Sequence, residues 1–166
     1  MASDLTTAAE ELASRLRFRT SHSEMVDIPR AECLDLLATH TFGRLAVVMS
    51  NGQPAIRPVN YIFDRPTQSI VFRTSRGSKL YALLHAGKAA FEIDGIDENT
   101  FTGWSVIVEG ASAEVTFPAD IGHLEGHRLQ PWAPGPRPHW VQIRARTVSG
   151  RRISLSAHHM AGYYLG

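Results

Sequence analysis

The sequence predicts a mainly β protein with short helices, built as a six-stranded antiparallel barrel, and three observations carry that expectation. Segments of strand length rich in Val, Ile, Phe and Thr succeed one another along the chain. Asn51-Gly52, set between two apolar runs, is the strongest short hairpin signal a sequence offers. No helical pattern separates the early strands, which excludes the crossover connections of a parallel sheet.

Residues 1–24 are rich in Ala, Ser, Thr and charge and read as a flexible N-terminal extension. Leu5, Ala8, Ala9, Leu12 and Leu16 would make at most one weakly amphipathic helix there. The domain proper is expected over 25–153, with 154–166 as a C-terminal tail. Pro29 suits a first helical turn, followed by Cys33, Leu34, Leu36 and Leu37 on a helix of about three turns. Arg44–Met49 is the first strand and 54–63 its return. A turn containing Pro66 leads to a third strand, 69–74. Leu80, Leu83 and Leu84 mark a helix over 78–86, and 89–94 is a fourth strand. A fifth strand spans 102–117, where Gly110 marks a bulge or bend. Asp120–Leu129 reads as a short helix with Asp120 near its cap. Pro131, Pro134, Pro136 and Pro138 exclude regular structure until His139, and 140–153 is the last strand.

Composition narrows the functional classes. With 166 residues, 43% apolar and 20% charged, the chain suits a single domain with a real core. A net charge of +1 gives no reason to expect a nucleic-acid partner, although basic residues cluster at Arg73/Arg76/Lys79 and at Arg144/Arg146/Arg151/Arg152. Such clusters suit a small anion better than a polymer. The single cysteine, Cys33, excludes an intramolecular disulfide and reads as a buried helix thiol. No apolar run approaches the roughly 18 residues of a membrane span, and the N-terminus lacks a signal-peptide core, so a cytoplasmic protein is expected.

The stretch with most chemical content is Ile70–Leu80. An apolar strand ends in the polar turn Arg73-Thr74-Ser75-Arg76-Gly77, and a helix begins at Ser78-Lys79. The first N–H groups of a helix have no intrahelical partner and favour negative charge. Hydroxyls at Thr74, Ser75 and Ser78, with charge from Arg73, Arg76 and Lys79, fit a terminal phosphate, though GxxxxGK[ST] is absent. Arg57 stands inside an otherwise apolar strand, where an unpaired charge is costly unless it reaches solvent or an anionic partner. Trp104 suits either ring stacking or core filling, and Trp132 in the proline-rich loop is expected to anchor against the barrel. His123 and His127 stand at i, i+4, but the sequence offers no obvious third ligand, and no metal site is expected. No catalytic triad or carboxylate pair emerges.

The blocks GRLAVVMSNGQPAIRPVNY, IVFRTSRGSKL and AAFEIDGIDENTFTGWSVIVEG together resemble the pyridoxamine 5'-phosphate oxidase-like family of FMN-binding split barrels, over about residues 25–153. Within it, the chain resembles small actinobacterial-type members of unassigned substrate. The resemblance implies a homodimer with flavin in two clefts between subunits. It implies that Arg73, Thr74, Ser78 and Lys79 cradle the phosphate. It sets Arg57, Pro58, Val59 and Asn60 beside the flavin ring, with Trp104 and Ser105 where the family places a glutamine-containing strand. That glutamine is absent here. Arg151 and Arg152 resemble the family's late contribution to the cleft. The chain ends without the Arg-Leu-His-Asp type block of the authentic oxidase, so vitamin B6 oxidation is not expected, and Arg73 stands where the nitroimidazole-reductase branch has histidine.

The expectation is therefore an FMN-dependent oxidoreductase acting on a small molecule, in which the cofactor carries the chemistry. The alternatives are a deazaflavin-dependent reductase of the same fold, or a non-catalytic flavin- or haem-binding carrier or sensor.

Overall fold

Eight strands, three helices and a short helical stretch over 10–13 make up the described chain, which in this computed structural model covers residues 10–13, 23–127 and 129–155, without the side chains of residues 78, 79, 81 and 155. In order they are β1 (Ser23–Asp27), α1 (Arg30–Thr39), β2 (Phe42–Val48), β3 (Pro54–Asn60), β4 (Ile62–Asp64), β5 (Ser69–Thr74) and α2 (Ser78–Ala86). Then come β6 (Lys88–Asp97), β7 (Thr102–Val115), α3 (Pro118–Glu125) and β8 (His139–Leu155). The strand order is β3-β2-β6-β7-β8-β5-β4, with β1 antiparallel on β8. No helix among the described residues is long and apolar enough to cross a membrane.

Six strands were expected and eight are found. The segment 54–63 is broken at Tyr61 into β3 and β4, and Ser23–Asp27 adds β1. All five residues of β1 are exposed, so its sequence carries no alternation of apolar and polar positions to announce it. β1 begins inside the segment read as an extension, and β8 continues to Leu155. Residues 1–9, 14–22 and 156–166, with most of the expected extension and tail, lie outside the described residues.

The chain divides into two compact units, and Ile28–Asp94 with Ser105–Gly150 forms the larger. Here a single residue, Tyr61, joins β3 to β4, the two extremes of the strand order. In a flat sheet of seven strands spaced about 4.8 Å apart, those extremes would stand roughly 29 Å from each other. One residue spans roughly 3.5 Å, so the sheet has to curl until its edges meet. Tyr61 is fully buried at this closure. Its hydroxyl donates to Leu37 O at 2.8 Å, its amide donates to Thr41 O at 2.9 Å, and its ring meets Phe91 edge-on at 4.7 Å.

Inward-facing side chains fill the barrel. Leu45, Ile70, Phe72, Phe91, Ile93, Val106, Val108 and Ile143 are all buried, and β2 alternates outward and inward along its length. Burying each such side chain is worth about 1.5–3 kcal/mol. Cys33 is buried on α1 as a free thiol, as its leucine-rich setting predicts. Gly110 permits a close approach, because a Cβ there would lie 1.9 Å from Arg144 O on β8. The Asn51-Gly52 turn forms as read, with Gly52 at φ 79° and Asn51 Oδ1 accepting from the Gln53 amide at 3.1 Å. Pro29 caps α1 rather than entering it, and α3 starts at Pro118, two residues before the expected cap, with Phe117 at the N-cap.

The smaller unit, Met1–Asp27, Gly95–Trp104 and Arg151–Gly166, holds β1, the turn between β6 and β7, and the end of β8.

Candidate functional site

Arg73 is the one partly exposed residue of β5, whose other five positions are buried. Its Nε donates to Arg137 O at 2.8 Å, and its guanidinium carbon lies 5.2 Å from the centre of the Trp140 ring, its cross-strand neighbour. Thr74 is buried, with its hydroxyl donating to Ser75 O at 3.3 Å. Ser75, Arg76 and Gly77 are exposed. The start of α2 has no side-chain cap and no acidic residue in its first turn, and a Cβ on Gly77 would meet nothing within 4 Å. An uncapped helix start beside a basic loop is a setting suited to an anion. The side chains of Ser78 and Lys79, central to the expected phosphate block, lie outside the described residues.

The second expected element, Arg57 to Asn60, lies on β3 at one end of the strand order, in register with Leu45 to Phe42 of β2. Within the larger unit β3 packs against β5. Pro58 removes a backbone donor, which an edge strand tolerates. Arg57 is exposed, with Nη1 donating to Ile56 O at 2.9 Å, so the burial that made it conspicuous in the sequence is absent. Val59 is buried, and Asn60 Oδ1 accepts from the Trp132 amide at 2.9 Å. Trp132 stacks on Phe42 at 5.2 Å and 9°, which is the anchoring expected of it. Ser105 is half-buried on β7 in the same unit.

Trp104, Arg151 and Arg152 belong to the smaller unit. Trp104 and Arg152 line a groove of about 330 Å³ together with Gly95, Asp97, Thr102 and Ile153. The indole lies flat against Gly95, where a Cβ would come within 2.6 Å of Nε1. Arg151 Nε sits 3.4 Å from Asp27 Oδ1 in an exposed pair worth under about 1 kcal/mol. The expected residues thus fall into three groups: the β5–α2 turn, the β3 edge, and the Trp104–Arg152 groove.

Sequence reasoning missed two neighbours of the first group. Arg137, in the proline-rich segment, supplies the carbonyl that holds Arg73, while its own Nε is enclosed without an acceptor. His139, cross-strand from Thr74, places Nδ1 2.6 Å from Glu114 Oε1. Both arise from pairings of β5 and β7 with distant segments, for which local spacing gives no signal.

Residues 29–152 match the protein family described as pyridoxamine 5'-phosphate oxidase, and the chain belongs to that family. A Mycobacterium tuberculosis protein of uncharacterized function is 31% identical over 145 residues, covering 84% of this chain and 93% of the relative. Among solved structures, the FAD binding protein of Mycobacterium smegmatis is 31% identical, with a TM-score of 0.63 over 76% of this chain and 98% of that one. A Corynebacterium glutamicum protein provisionally classed as a pyridoxamine 5'-phosphate oxidase is 26% identical, with a TM-score of 0.64 over 80% and 95% of the two chains. The likeness bears out the split-barrel fold expected from the sequence.

Proposed function

We propose that this protein is a flavin-dependent oxidoreductase that binds FMN and acts on a small molecule. The observation that carries the reading is the uncapped start of α2, placed directly after β5 and flanked by Arg73 and Arg76. A phosphate would be held by main-chain amides in the first turn and the side chains of Ser78 and Lys79, with the Thr74 hydroxyl joining once it turns from Ser75 O. Arg57, Pro58, Val59 and Asn60 would run beside the ring. Trp104, Ser105, Arg151 and Arg152 would complete the cleft. The flavin, when bound, supplies hydride or electron transfer; the protein positions it and sets the charge around it. Arg57, with its exposed guanidinium, would stabilise an electron-rich ring edge.

Family membership and the flavin-binding relative from M. smegmatis support the cofactor class. That relative is described as binding FAD, which makes FAD the second reading. The reading also takes the protein as a cytoplasmic homodimer with clefts shared between copies. A small barrel filled by its own side chains leaves little interior for a tricyclic ring. Exposed Phe42, Val48 and Ile56 along β2 and β3 offer apolar surface to a second copy.

The absorption spectrum of the purified protein, and the identity of the cofactor released on denaturation, test the class directly. Flavin bands with FMN support the proposal; FAD selects the second reading, and a deazaflavin band, a Soret band or no colour overturns it. Titration with FMN and riboflavin tests the site. Lys79→Ala should weaken FMN binding by roughly ten- to a hundredfold, the equivalent of one lost charge-assisted hydrogen bond. Riboflavin affinity should not change, and Lys88→Ala at the far end of α2 should leave both intact. Equal FMN affinity in Lys79→Ala and wild type would move the phosphate to Arg151/Arg152.

A further inference from the structure

The fold supplies the third ligand that the His123/His127 pair lacks in the sequence. Asp64, at the end of β4, places Oδ1 3.1 Å from His123 Nε2, and one ligand atom from each of Asp64, His123 and His127 lies within 4.8 Å of the others. We propose that these three residues form a binding site for a divalent transition-metal ion of the zinc type, independent of the flavin reading.

Four observations support it. The 3.1 Å separation is close to the ~3.3 Å between two ligands on one tetrahedral zinc with bonds of about 2.0 Å. The two imidazoles stand 5.1 Å apart at 81°, neighbours at the end of the helix. Asp64 is buried at 3% exposure, and His123 is its one ion-pair partner among the described residues. The carboxylate is oriented through Oδ2, which accepts from the Thr67 hydroxyl, and no Lys or Arg pairs with it among the described residues.

The scaffold is rigid without the ion. Leu124 of α3 is buried with Val71, Val115 and Trp140, and Ile121 packs against the same cluster. Two imidazoles with one carboxylate select a borderline ion such as Zn²⁺ over Mg²⁺ or Ca²⁺, which take oxygen ligands. A bound ion would tie the β4–β5 turn to the end of α3, just ahead of the proline-rich segment that holds Arg73 and Trp132.

The test uses the full chain, stripped with a chelator and titrated with Zn²⁺ against a chromophoric competitor, with thermal unfolding followed in parallel. One zinc per chain is expected, with a rise in midpoint that Mg²⁺ does not reproduce. His127→Ala, an exposed change that leaves the core intact, should weaken binding by about thirtyfold or more and abolish the rise. His158→Ala/His159→Ala should change neither. Co²⁺ in place of Zn²⁺ should give visible bands that disappear in His127→Ala. Zinc affinity unaltered by His127→Ala, dependence on His158 and His159, or no zinc-dependent rise in wild type would each overturn the assignment.

Discussion

The two ends of β5 make a useful comparison. At Arg73 and Thr74 the strand runs into a basic turn and a helix start, so the groups expected to bind phosphate lie within a few residues of chain, while Arg137 O and Trp140 reach Arg73 from further along. At Ser69 the strand pairs with Asp64, whose carboxylate meets His123 on a helix 59 residues further along, with a His127 ligand atom within 4.8 Å. The first end is cationic and open to solvent; the second is built on a buried anion. The expected binding groups of the first come together mainly by local chain geometry, and those of the second by tertiary packing. Polar groups gathered locally can be put together with little burial, whereas groups from distant segments meet only where the core holds both.

That difference sets the size of what substitution should do. Asp64→Ala should have the largest effect, about 2–3 kcal/mol of stability without metal, because the buried carboxylate accepts from both Thr67 and His123. Denaturant unfolding of the metal-free protein reads it; a loss below about 1 kcal/mol would place Asp64 in a more solvated setting than the comparison requires. Arg73→Ala should cost less, about 1 kcal/mol, through its contacts with Arg137 O and Trp140. Its main effect should be on FMN binding, weakened about tenfold by titration. If stability fell as far as in Asp64→Ala while binding held, Arg73 would be a structural clamp and the contrast between the ends would fail. His127→Ala should change metal-free stability least, within about 0.5 kcal/mol, since its ring is exposed.

The same contrast explains what was legible in the sequence. The β2–β3 hairpin, β5, α2 and the family blocks were readable because turn residues, periodicity and motif each act over a few positions. β1 was not, since its five exposed residues take their strand geometry from pairing with β8. Nor was the break at Tyr61, because a buried aromatic after Asn60 continues a strand pattern while the backbone leaves one sheet edge for the other. For Arg57 the sequence left two outcomes, solvent or an anionic partner, and its place on an edge strand leaves the guanidinium exposed. His123 and His127 could be paired by spacing, whereas Asp64 could join them only through the packing of α3 beside β4 and β5.

Tyr61 also constrains when the barrel can exist during synthesis. β3 and β4 leave the ribosome together, yet each belongs to a different arm of the ladder, and the arms are bridged only through β6, β7 and β8. β8, the last described strand to emerge, pairs with β5 and also with β1, near the start of the described chain. Until β8 arrives, β5 keeps an unpaired edge and the seam at Tyr61 has no ring to close. A nascent chain therefore carries two separate half-ladders, and β8 joins them into one ladder of the larger unit in a late, long-range step.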